Sequence, residues 1–306
     1  MADTLSFPEP PDVIRQKPSL RKYLRYLLFF GPGAILASMT IGQGQLILGP
    51  QIGAWAGYAL LWLITLNIGS YVIAYIGTRF SMLSGISIMD MFALKTRGGW
   101  LNWLIIGIMA IFVPTFAAAI MTTLGHSLAW IFGVGHYLFW GVSFSLLAGA
   151  LALLGRYKVL EVSQAFFVAV LGIGAVASVV MLQPNLFEVF PHFLALGDVP
   201  YYPAWVDSVP EFTKTPIPLS MLGYLGTLTI SIVPLVGYLG WIKIKGWGIF
   251  RGSSDPDGLS ERLFSRYRQQ GSIDYLPDDS EEVHKSRLLL RPLMGDLAVA
   301  FVIASL

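Results

Sequence analysis

The sequence predicts an all-α fold, a polytopic membrane helix bundle, and three observations carry that prediction. Six apolar stretches, at roughly 29–53, 54–77, 101–125, 135–154, 160–182 and 217–242, each run for about 20 residues or more, enough for a helix to cross the hydrocarbon core of a bilayer. None of them carries Lys or Arg in its central part. Threaded through a membrane in order, they leave 19 of the 20 basic residues on one side and only Lys214 on the other. The positive-inside rule makes that side the cytoplasm, with the N-terminus on it. The chain is therefore expected to be an integral protein of the plasma (inner) membrane.

The elements follow in order. Residues 1–26 contain Pro8, Pro10, Pro11 and Pro18, are polar and basic, and have no apolar core, so they read as a cytoplasmic tail and not as a cleaved signal. The transmembrane part covers 27–245 and holds the six spans. Its long outer connector, 183–216, is rich in Pro and aromatics, among them Phe187, Phe190, Pro191, Tyr201, Tyr202 and Trp205. It is expected to pack as an ordered cap with aromatics at headgroup level. The inner stretch 246–292 mixes Gly252, Ser253, Ser254, Asp255 and Pro256 with a basic cluster between Arg262 and Arg268, and reads as a flexible cytoplasmic loop with one short surface helix. An apolar run from Leu297 to Leu306 is about half of a crossing, so 293–306 is expected to be the start of a truncated seventh helix, completed by the missing C-terminal part of the same protein.

Composition narrows the function classes. A chain that is 55% apolar and 12% charged has the bilayer as its solvent, since a soluble domain carries about 25% charged residues. The net charge of +2 does not point to nucleic acid, because acids in the same connectors, such as Asp255, Asp257, Asp278, Glu281 and Glu282, balance the bases. There is no cysteine, which excludes disulfides, iron–sulfur clusters and thiolate metal sites. No cofactor is implied.

Two spans contain features that a plain membrane helix avoids. The first has Gly31, Pro32 and Gly33 near its entrance and Gly42, Gln43, Gly44 and Gln45 close to its centre. Glycines flanking amides in mid-membrane invite an unwound turn, whose freed carbonyls must face protein or a water-filled cavity. The sixth has Thr227, Thr229 and Ser231 at its centre, followed by Pro234 and Gly237. Two interrupted helices with breaks at matching depth point to a substrate site between them. The plainer reading of each feature is that Gly49, Gly53 and Gly57 form a packing ridge, that Gln43 and Gln45 bond between helices, and that the hydroxyls bond back to their own helix. His126, His136 and His192 fall in outer connectors, and Asp90 and Glu161 near inner helix ends beside Lys95, Arg156 and Lys158, where loop hydrogen bonds and interfacial pairing are expected. No nucleophile with a base and no phosphate loop is present, so catalysis is not expected.

Gly31-Pro32-Gly33, the broken centre, and then Gly57-Tyr58-Ala59-Leu60-Leu61-Trp62 resemble the start of Nramp-type proton-coupled divalent-metal transporters, the natural-resistance-associated macrophage protein family. Gly155-Arg156-Tyr157-Lys158-Val159-Leu160-Glu161 resembles that family's turn into its fifth helix. The resemblance implies the LeuT-type inverted-repeat fold, here the first repeat plus the sixth helix and the start of the seventh. It also implies transport by alternating access. Departures are as informative. Where the family has Asp-Pro-Gly-Asn, this chain has Gly42, Gln43, Gly44 and Gln45, without a carboxylate. Where the family's sixth helix has methionine beside histidine, it has Ile230, Ser231, Ile232 and Val233. The third span reads Thr115 to Ile120 with neither the family's Asp nor its Glu. Soft transition metals favour sulfur or imidazole, so a neutral oxygen set from Gln43, Gln45, Thr227, Thr229 and Ser231 suits a metal cation that keeps part of its water, or another small polar solute. Gln43 and Gln45 are the expected metal-contacting side chains. The rival reading is a non-transporting sensor or scaffold that retains the fold, as in a plant ethylene-signalling protein with an Nramp-like membrane domain.

Overall fold

The computed structural model describes residues 5–17, 19, 22, 32–40, 47–154, 157–209 and 215–305, and among these there are helices and no strands. A short turn, α1 (Asp12–Arg15), precedes α2 (Pro32–Thr40) and α3 (Gly49–Ala56), the two described pieces of the first span. The second span is α4 (Trp62–Ser84), which bends by 91° into α5 (Ile88–Lys95). The third to fifth spans are α6 (Trp100–Phe132), α7 (Tyr137–Leu154) and α8 (Tyr157–Leu182). The connector after the fifth span holds α9 (Leu186–Leu194), and the sixth span is α10 (Ile217–Leu228) with α11 (Ile232–Lys245). Then come α12 (Pro256–Gln270), α13 (Ser280–Leu289) and α14 (Arg291–Ser305).

The second span begins later than its apolar content suggests, because Gly57 closes α3 with φ 56° and ψ −125° and the chain turns before Trp62. Side chains with a Cβ rarely enter that region of backbone space, so the glycine sets the boundary. Apolar side chains on α6, α7 and α8 point outward, with Trp103, Ile111, Leu153 and Ile173 each at least 70% exposed. A helix that is apolar on all sides and unburied by protein is a lipid-facing helix. Among the described residues, five helices are long and apolar enough to cross a membrane, or six with the bent pair α4 and α5.

The chain divides into two compact units. One comprises Ala34–Tyr71, Thr115–Ser231 and Ala300–Leu306. Its core is Ile52, Trp55, Leu60, Trp62, Leu63, Ile64, Val206 and Leu228, with Phe193, Tyr202 and Phe301 packed against it. The connector after the fifth span is an ordered cap on that core: Trp62 Nε1 donates to the Asp198 carbonyl at 2.8 Å and Thr65 Oγ1 to the Phe193 carbonyl at 2.7 Å. In the same unit, α6 and α7 meet through glycine. A Cβ added at Gly125 would lie 2.1 Å from the Tyr137 carbonyl oxygen, and one at Gly141 2.5 Å from that of Met121. Of the ridge expected at Gly49, Gly53 and Gly57, the last two meet no packing partner among the described residues, since a Cβ at either would find nothing within 4 Å.

The other unit comprises Met1–Gly33, Val72–Pro114 and Ile232–Val299. The stretch expected as a flexible loop with one short helix holds two capped ones. Asp255 accepts from Gly258 N–H at 2.9 Å to start α12, Gly271 ends it at φ 74°, and Asp279 accepts from the N–H groups of Glu281 and Glu282 to start α13. These helices pack a core of Ile86, Ile249, Phe250, Leu263, Tyr267 and Tyr275. Tyr275 donates to the Ser84 carbonyl at 2.7 Å, and Ser260 donates to that of Gly85. Burial pushes the Tyr275 phenol up to about 12, against the opposing pull of Arg266, so it remains a donor at any physiological pH. The N-terminal segment is docked here: Phe7 N–H donates to the Glu282 carboxylate at 2.6 Å and Leu5 N–H to the Tyr275 carbonyl at 2.8 Å.

Gly125→Ala is predicted to cost about 1–3 kcal/mol, because its methyl meets backbone that cannot move aside. Thermal unfolding in detergent checks this, and a melting temperature equal to the parent's contradicts the glycine contact.

Candidate functional site

The sixth span is interrupted at 229–231, between α10 and α11. Thr229 is extended, with φ −76° and ψ 143°, while its own N–H still reaches the Leu225 carbonyl at 3.0 Å. Pro234 favours the break. In an unbroken helix its ring would clash with the carbonyl of Ile230, four residues earlier, and it has no N–H to offer in return. Thr227, Thr229 and Ser231 are all half-buried at this break. Thr227 Oγ1 donates to the Tyr224 carbonyl at 2.7 Å, and Thr229 Oγ1 points back to that of Gly226 at 3.4 Å, the local bonding that hydroxyls adopt on a helix.

Breaking a helix in the membrane frees backbone groups, and α4 meets that demand. Ile230 N–H donates to Ser70 Oγ at 3.3 Å, and Ser70 donates to Asn67 Oδ1 at 2.7 Å. Asn67 is fully buried, and its Nδ2 has no partner among the described residues. One residue further, the buried Tyr71 lies near Thr40 of α2, with no hydrogen bond between them. Neighbouring residues of one helix thus touch the interruption of the sixth span and the edge of the first span's centre. The sequence reading passed over Asn67 and Ser70, although an amide and a hydroxyl three residues apart in an apolar run are a visible signal. Gly42, Gln43, Gly44 and Gln45 lie outside the described residues.

A second polar group in the apolar part also escaped the sequence reading. Asp296 on α14 is 3% exposed and accepts a hydrogen bond from Tyr238 Oη at 2.7 Å, with Tyr238 fully buried. Its carboxyl group rests on α2 at Gly33: a Cβ added there would lie 2.6 Å from the carboxyl carbon, so the glycine gives the acid room. Starting the last apolar run at Leu297 had left this acid just outside it.

The histidines behave as structural groups. His126 lies on α6, which runs further than expected, and stacks on Tyr137 with ring centroids 4.1 Å apart, while His136 Nδ1 accepts from Leu138 N–H at 3.3 Å. Among the described residues, no three His, Asp or Glu side chains are grouped so as to hold a metal ion.

Residues 33–229, nearly two thirds of the 306, match the Nramp family, described as natural resistance-associated macrophage protein-like. The chain belongs to the Nramp family. A crystal structure of the Eremococcus coleocola manganese transporter, in complex with an aromatic bis-isothiourea substituted compound, superposes with a TM-score of 0.55 at 17% identity. The match covers 95% of this chain and 52% of the other, so this Nramp-family chain spans about half the length of the solved transporter. At that identity the likeness speaks for the fold, the all-helical LeuT-type arrangement. No curated protein sequence matches the chain.

Ser70→Ala is predicted to destabilise the protein by about 1–3 kcal/mol, because it strips the acceptor from Ile230 N–H at the break. Ser70→Thr keeps that acceptor and the stability. Equal melting temperatures for parent and Ser70→Ala would remove Ser70 from the account.

Proposed function

We propose that the protein is a secondary transporter that moves a metal cation, partly hydrated, or another small polar solute by alternating access. The site is formed by Gly42, Gln43, Gly44 and Gln45 of the first span with Thr227, Thr229 and Ser231 of the sixth. The observation that carries the reading is the interruption of the sixth span at 229–231, met by Ser70 of α4, whose neighbour Tyr71 lies near Thr40. Membership of the Nramp family supports a metal as cargo. The fold shared with a manganese transporter agrees with it. Amide oxygens of Gln43 and Gln45, backbone carbonyls and hydroxyls are hard neutral ligands, which suit a cation that keeps several waters better than a bare soft metal. The remainder of a full-length protein would complete the bundle. The tail 1–26 and the stretch 246–292 are assigned to the cytoplasm, and the membrane is the plasma (inner) membrane. The role is transport and not catalysis.

The test is uptake by the full-length protein in liposomes of manganese, magnesium and a monovalent cation. Gln45→Ala is expected to lower the uptake of the transported ion about tenfold, the equivalent of about 1.4 kcal/mol of lost ligand interaction. No flux above empty vesicles for any ion would leave a sensor or scaffold that keeps the fold. Uptake is also expected to proceed without proton co-movement, because no titratable side chain belongs to the site. Internal acidification that tracks uptake and disappears in Asp296→Asn would overturn that expectation and assign the proton to Asp296.

A further inference from the structure

At the inner end of α11 a cavity of about 620 Å³ opens between that helix, the turn at 246–253, the start of α12 and the bend after α4. Its polar lining is Lys243, Lys245, Ser81, Ser87, Ser253 and Asp257. Its apolar wall includes Val236, Leu239 and Ile244 on α11. The order along α11 sets the depth. An apolar run from Ile232 to Ile242 gives way to Lys243, Lys245 and Trp247, the pattern of a helix leaving the hydrocarbon at headgroup level.

Two further observations point to an occupant. Ser81 is only 6% exposed, and its hydroxyl has no hydrogen-bond partner among the described residues, although it lines the cavity. A buried hydroxyl of that kind calls for a ligand group. The lipid-facing side of the cavity is open: Gly240 is exposed, a Cβ there would meet nothing within 4 Å, and Ile244 beside it is 63% exposed. Lys243 pairs with Asp257 at 3.3 Å and lies 5.7 Å from the centre of the Phe250 ring, but the Asp257 side chain is 90% exposed. Such a rim pair is weak and exchangeable. Asp90 on α5 also faces Lys243.

We propose that this cavity holds the phosphate group of a phospholipid. Lys243 and Lys245 face the phosphate oxygens, Ser81 donates to the ester oxygens, and the acyl chain leaves the cavity past Gly240 and Ile244. A soluble phosphate shares the charge chemistry and would use the same lysines, but it would not use the apolar wall. Basic pockets at the cytoplasmic ends of membrane helices are suited to anionic headgroups, and the cytoplasmic leaflet is where such lipids concentrate.

The experiment is native mass spectrometry of the full-length protein in detergent with equal amounts of phosphatidylglycerol and phosphatidylcholine. The parent is expected to retain one phosphatidylglycerol with a preference of at least about fivefold, and the Lys243→Gln, Lys245→Gln double variant to lose that preference. Gly240→Leu fills the open groove without touching a charge and adds a better helix former, so it is expected to release both lipids with an unchanged melting temperature. Equal retention of the two lipids by the parent, or an unaltered preference in the double variant, overturns the proposal. Displacement of the lipid by excess inorganic phosphate assigns the lysines to a soluble phosphate and overturns the lipid reading.

Discussion

Inside a bilayer every backbone N–H and C=O must find a partner within the protein, and the rest of this structure depends on how that requirement is met at 229–231. Pro234 weakens a continuous sixth helix, and the chain between α10 and α11 is extended at Thr229. The liberated Ile230 N–H is satisfied by a side chain, Ser70 on α4, and not by the helix itself. A break paid for in this way is a fixed feature. It leaves the hydroxyls of Thr227, Thr229 and Ser231 half-buried at the middle of the span, where an ordinary membrane helix offers no polar surface.

Each unit supports this arrangement by a different kind of contact. In the unit that contains the break, Leu228 packs beneath Trp62, Leu63 and Val206, so the end of α10 is anchored in the core under the outer cap. In the other unit, Tyr238 on α11 donates to the buried Asp296 of α14, whose carboxyl rests on Gly33. Removing one member of a buried polar set leaves the others unpaired, which makes such sets stiff as well as costly. The two pieces of the sixth span are thus held separately, and neither anchor depends on a helix running through 229–231.

The spans were legible in the sequence because length and apolar content are what a bilayer selects. The sixth-span break was foreshadowed by Pro234, although Pro114 within the unbroken α6 shows that proline alone does not decide one. The boundary of the second span was not, since the positive φ at Gly57 depends on how the chain turns after α3 and composition is silent on it. α12 and α13 carried their own signals, Asp255 followed by Pro256 and Asp279 followed by Glu281 and Glu282, but polar composition made them look like a loop. Asp296, Asn67 and Ser70 act through neighbours distant in sequence, so their partners had to be seen in three dimensions. The residues 42–45 were singled out from glycine and amide content, and they lie outside what the structure describes.

The central claim is a water-accessible, uncharged site between the first and sixth spans, and it is directly measurable in a protein with no other cysteine, as this chain has none. Gln43→Cys and Thr229→Cys, introduced singly into the full-length protein, can be labelled with a water-soluble thiol reagent with and without the transported cation. Both positions are predicted to react, and the cation to slow both. If neither reacts while Leu196→Cys in the outer connector does, there is no aqueous site at the breaks and the account fails.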